Sequence, residues 1–195
     1  ERWDVEKEPG CAREDAQFAA ASAAHRGRVL IAHVRKRTVG AIGRDNTHPL
    51  ERGQWTFAHN GTIDDQDFLR AETSSVRLAE IAGQTDSELF FAYLLTAMDA
   101  HPHAHDAALA DALGALVARA GVAANMLLCD GAVLYAHRFG RTLHTLRRQP
   151  GDAVRTERTS AETLATLEVS IDRGPWHACR RACGYWWYDW AGYGN

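Results

Sequence analysis

The chain has 195 residues, of which 46% are hydrophobic and 24% charged, with a formal net charge of −3. That length suits one domain with room for an appendage, and the composition is that of a globular protein rather than a disordered or fibrous one. The basic residues are scattered among acids, so no nucleic-acid partner is expected, and no apolar run approaches the roughly 18 residues that a spanning helix needs, so no membrane partner is expected either. Cys11, Cys129, Cys179 and Cys183 are too few and too irregularly spaced for a disulfide framework, which makes a reducing, cytoplasmic setting the default. No signal peptide is legible, although a chain whose first residue is Glu1 can have lost one.

In chain order, a polar start with a turn at Pro9-Gly10 leads into "DAQFAAASAAHRG", an Ala-rich helix closed by Gly27. "RVLIAHVR" is apolar at nearly every position and reads as a strand buried on both faces. Residues 36–54 carry Gly40, Gly43, Asn46, Pro49 and Gly53 and read as a long irregular loop, a feature that tends to be functional inside a compact domain. "WTFA" then begins a strand that runs into Asn60-Gly61, the strongest short-range signal for a two-residue hairpin turn.

"TDSELFFAYLLTAMDAH" opens with Thr85-x-x-Glu88, a capping box, and its apolar positions follow helical spacing. "HDAALADALGALVARAG" is a second amphipathic helix with Leu109, Leu113, Leu116 and Val117 on one face and Gly121 as its stop. The strands "NMLLCD" and "AVLYAHRF" are joined by a hairpin at Asp130-Gly131, and "TLHTLRR" continues the meander. This order predicts an α+β protein with a mainly antiparallel sheet, and the phosphate-cradling glycine signatures are absent.

Chemistry has few places to sit. Arg35 and Thr38 stand where the buried strand runs into the irregular loop; Asp86 follows the helix N-cap, where a carboxylate also complements the helix dipole. His48, in "NTHP", suits a loop-fixing hydrogen bond. His101, His103 and His105 alternate around Pro102, and His177, Cys179 and Cys183 cluster near the end. His-x-His-x-His in a helix–helix loop can chelate but most such loops do not, and the spacing of the second set matches no familiar structural zinc pattern, so no metal and no cofactor is expected.

Taken together and in order, "AHVRKRT", "NTHP", "HNGTI" and "TDSE" resemble the class II glutamine amidotransferases, which belong to the N-terminal nucleophile hydrolases, and most closely their stand-alone branch that includes γ-glutamyl hydrolases. The resemblance covers roughly Gly27 to Leu146. It implies a four-layer αββα sandwich that lacks its first strands, and cleavage of the γ-amide of glutamine or a γ-glutamyl compound through a Cys thioester. Arg35 matches the residue that holds the substrate α-carboxylate, Thr38 one that lines the same pocket, and Asp86 the carboxylate that receives the α-ammonium. Asn60 and Gly61 match the oxyanion-hole pair, one donating through its side-chain amide and the other through its backbone N–H. If ammonia is the useful product, an acceptor enzyme is implied as a partner.

Two features depart from that pattern. The family nucleophile is an N-terminal Cys whose own α-amine serves as base, workable with a pKa near 8. Residue 1 here is Glu, and Cys11 has no free α-amine, so the nucleophile is expected upstream of this chain. From about Thr156 the pattern is lost, which divides the sequence into an amidotransferase domain over 1–155 and a divergent Trp/Tyr-rich tail over 156–195. The alternative function is a catalytically silent γ-glutamyl-binding module that keeps the pocket without the nucleophile.

Overall fold

Alternation along one strand organises the fold. In the computed structural model, which describes residues 3–11, 14–24, 29–35, 40–143 and 176–180, strand β2 spans Trp55–Ile63 and sends Trp55, Phe57 and Ile63 into the main core. It sits in a five-stranded antiparallel sheet of order β1-β2-β3-β4-β5, with β1 at Leu50–Arg52, β3 at Val122–Cys129, β4 at Val133–His137 and β5 at Trp176–Arg180. The α+β expectation therefore holds: the described strands form one antiparallel meander, with helices packed on one face.

Five helices complete the described fold: α1 (Ala16–Ala24), α2 (Gln66–Glu72), α3 (Ser75–Ala79), α4 (Asp86–Ala100) and α5 (His105–Val117). Helix α4 is the central one, and Leu89, Phe90, Phe91, Leu94, Leu95 and Met98 are all almost fully buried in it. Phe57 stacks on Phe91 with ring centroids 4.9 Å apart and meets Phe90 edge-on at 5.5 Å. Aromatic pairs of this kind add about 1 kcal/mol beyond the area they bury, so this contact fixes α4 across β2. Helix α5 adds Leu109, Leu113 and Leu116 to the same core. It ends at Val117, and Gly121, at φ +69°, then turns the chain into β3 rather than stopping the helix itself.

Several expectations are corrected. Asn60-Gly61 is not a turn: Asn60 pairs with Asn125 and Gly61 with Ala124 well inside the β2–β3 ladder. The β1–β2 turn lies instead at Gly53-Gln54, with Gly53 at φ +59°, in the stretch read as irregular loop. That stretch also holds a 3-10 turn at Arg44–Asn46. Residues 29–35 pair with no strand among the described residues, and they are not buried on both faces. Val29 and Ile31 pack with Leu127, Cys129 and Leu134 on the sheet face opposite the helices, while Leu30 and Val34 are 54% and 74% exposed. One covered side produces the alternation, so an unbroken apolar run did not signal two buried faces here.

The Asp130-Gly131 hairpin is as expected, with Asp130 Oδ1 accepting from the Ala132 and Val133 amides. Of "TLHTLRR", Thr142 and Leu143 form no strand and the remainder lies outside the described residues. The strand that pairs with β4 comes from the tail: β5 aligns His137 with Trp176 and Val133 with Arg180. No described helix is long and apolar enough to cross a membrane.

Candidate active site

The sequence brings the candidate residues to the end of β2 and the loops around it. Asn60 and Gly61 are both half-buried on β2. The Asn60 side-chain amide makes no hydrogen bond among the described residues. Its cross-strand neighbour behaves differently: Asn125 donates to the Thr142 carbonyl at 2.7 Å and accepts from the Phe139 amide at 3.0 Å. Gly61 is glycine because of its surroundings, since a Cβ there would overlap the Ala123 carbonyl and lie 2.7 Å from His59 Nε2.

His59 locks that part of the strand to its neighbours. It is 3% exposed, its Nε2 lies 3.2 Å from the Ala123 carbonyl, and its Nδ1 lies 2.9 Å from Ser87 Oγ. A carbonyl only accepts, so Nε2 carries the proton and Nδ1 accepts from the Ser87 hydroxyl. Burial lowers the His59 pKa against the opposing pull of the Asp86 charge, which keeps the ring neutral near pH 7.

Asp86 and Ser87 begin α4. The Thr85 hydroxyl caps that helix by accepting from the Glu88 amide at 3.2 Å. Only half of the expected capping box forms, because the Glu88 carboxylate turns away from Thr85. It accepts from the Ala82 and Gly83 amides and pairs with Arg52 Nη2 at 2.5 Å. Asp86 is 6% exposed, and its Oδ2 accepts from the Ile63 amide at 2.9 Å. That bond joins the helix start to the end of β2, two residues beyond Gly61.

Arg35 is half-buried, and its Nη1 donates to the Ala41 carbonyl at 3.3 Å. Two residues earlier, His33 Nε2 lies 3.1 Å from the His59 carbonyl and donates to it. Burial pushes the His33 pKa down to about 4. Of the five expected site residues, Asn60 and Gly61 lie on β2, Asp86 is bonded to the end of that strand at Ile63, and Arg35 is bonded to the Ala41 carbonyl; Thr38 lies outside the described residues.

His48 does not make the loop-fixing hydrogen bond expected of it. Its ring lies against His33 with centroids 4.4 Å apart, and neither of its nitrogens has a partner among the described residues. Burial is again the main cause that drives its pKa well down, with the neighbouring His33, His59, Lys7 and Arg35 adding to it. The loop histidines have structural tasks: His101 Nδ1 donates to the Ala97 carbonyl, and the His105 ring meets Trp55 edge-on. Among the described residues no three His, Cys, Asp or Glu side chains converge as metal ligands do. The side chains of His177 and Cys179 and all of Cys183 lie outside the described residues.

Comparison with known proteins identifies the family. A profile of the class II glutamine amidotransferases matches residues 5–164, and the chain belongs to that family. It is 33% identical over 157 residues to "Putative glutamine amidotransferase YafJ" of Escherichia coli, covering 73% of this chain and 54% of that one. It is 30% identical over 149 residues to the γ-glutamyl-hercynylcysteine sulfoxide hydrolase of Mycolicibacterium smegmatis, covering 73% and 58%. The chain thus spans little more than half the length of these relatives. A glutamine aminotransferase class-II domain protein from Silicibacter pomeroyi aligns with a TM-score of 0.49 at 23% identity, over 69% of this chain and 62% of that one.

Proposed function

We propose that the complete protein hydrolyses a γ-glutamyl amide, that of glutamine or of a γ-glutamyl compound, through a thioester on a cysteine upstream of Glu1. The observation that carries this reading is that half-buried Asn60, beside Gly61 on a strand that Asp86 joins to α4, has a side-chain amide with no hydrogen bond among the described residues. Two donors held on a rigid strand are what a developing oxyanion needs, because they require no reorganisation as charge appears. Asp86 keeps acceptor capacity beyond its bond to Ile63, enough for a substrate α-ammonium. The planar fork of Arg35 suits the α-carboxylate, and the family resemblance assigns Thr38 to the same pocket.

The cysteines with described side chains do not supply the nucleophile. Cys129 is buried under the other sheet face, and burial pushes its thiol pKa up, the wrong direction for a thiolate. Cys11 is exposed and carries no α-amine. This also supports the second reading, a catalytically silent γ-glutamyl-binding module that keeps the pocket without the nucleophile. If ammonia is the useful product, an acceptor enzyme is its partner. Glutamate release from glutamine and γ-glutamyl peptides is the test: the protein from the complete gene turns over, and the 195-residue chain does not. Turnover by the short chain that survives Cys11→Ala would overturn the upstream nucleophile.

A further inference from the structure

Asn46 belongs to "NTHP" and has been given no task so far. It is a polar residue only 6% exposed, with both ends of its amide engaged. Its Nδ2 donates at 3.0 Å to the Ala41 carbonyl, the acceptor that Arg35 also uses. Its Oδ1 accepts at 2.8 Å from the amide of Gln84, two residues before Asp86. Two glycines pack against this amide. A Cβ on Gly83 would lie 2.5 Å from Asn46 Oδ1, and one on Gly40 would lie 3.3 Å from Asn46 Nδ2.

We propose that Asn46 is a positioning residue that sets the separation between Arg35 and Asp86, tuning the pocket to substrates with both a free α-carboxylate and a free α-ammonium. The inference rests on the roles given to Arg35 and Asp86 above. An amide is the smallest side chain that donates at one end and accepts at the other, so it can tie two loops with opposite needs. Without it, each loop keeps its own ligand group and loses its register with the other. A zwitterion gains from two contacts at once only while their spacing is held.

Titration of the full chain, followed by NMR, with three ligands tests this. Glutamine carries both charges, glutaramate lacks the α-ammonium, and 4-aminobutanamide lacks the α-carboxylate. In the unaltered chain glutamine binds more tightly than either one-ended ligand. In Asn46→Ala its affinity falls about tenfold while the one-ended ligands change less than twofold. Asn46→Asp, which keeps the acceptor for Gln84 and loses the donor to Ala41, gives the same selective loss without opening a cavity. A through-space effect of its new charge would instead tighten 4-aminobutanamide, and that result contradicts positioning. Equal loss on all three ligands, or on none, also overturns the proposal while leaving the pocket assignment standing. Failure of the unaltered chain to prefer glutamine overturns both.

Discussion

Gly61 shows how much one missing methyl group decides. Any side chain there meets the Ala123 carbonyl, which is fixed by the β2–β3 ladder, and the His59 ring, which is fixed by Ser87. Neither neighbour is the free end of a flexible chain, so the backbone itself has to move. Gly61→Ala is therefore expected to destabilise the fold by about 3 kcal/mol, read as a lower urea midpoint at unchanged slope. Stability within about 0.5 kcal/mol of the unaltered chain would show that the strand has room there. Asn60, its neighbour, tolerates change better, since no hydrogen bond among the described residues depends on its amide.

Among the elements, the start of α4 carries the most demanding polar arrangement. Glu88 is 2% exposed, and its carboxylate takes Arg52 together with the Ala82 and Gly83 amides. Glu88→Ala leaves a guanidinium and two loop amides without their acceptor, and the expected cost is about 3 kcal/mol by urea unfolding. A loss below about 1 kcal/mol would mean that water replaces the carboxylate. Helix α4 itself was legible in the sequence, because its apolar spacing and the Thr85 cap are local signals. The Asp130-Gly131 hairpin was legible for the same reason. Asn60-Gly61 misled as a turn because its conformation is set by a partner strand more than sixty residues away, which no local propensity reports. The segment at 29–35 misled similarly, since which of its faces is covered depends on Leu127, Cys129 and Leu134 far along the chain. The proposed site residues stood out in the sequence as blocks of motif. The work of Asn46 did not, because its two partners lie in different loops.

At the scale of the whole molecule, three histidines among the described residues bear on acid stability. His33, His48 and His59 all have pKa values lowered chiefly by burial, so the unfolded chain binds protons that the folded chain refuses. Their effect vanishes above about pH 6.5, where they are neutral in both states. Stability is lost as the pH falls below that value, for His33 down to about 4 at up to about 1.4 kcal/mol per pH unit, with His48 and His59 acting in the same direction. His48→Phe removes one such group together with two nitrogens that have no partner among the described residues, so its stability should fall less steeply between pH 6.5 and 4.5. An acid limb as steep as that of the unaltered chain would put the titration elsewhere. The central claim is that Asn60 stabilises an oxyanion, and steady-state hydrolysis of glutamine or a γ-glutamyl peptide by the protein from the complete gene tests it most directly. Because Asn60 lies in a strand rather than a turn, Asn60→Ala removes the donor without backbone strain. The account predicts that kcat falls on the order of 10²- to 10³-fold with KM changed much less and thermal stability retained; an unchanged kcat at unchanged stability would contradict it.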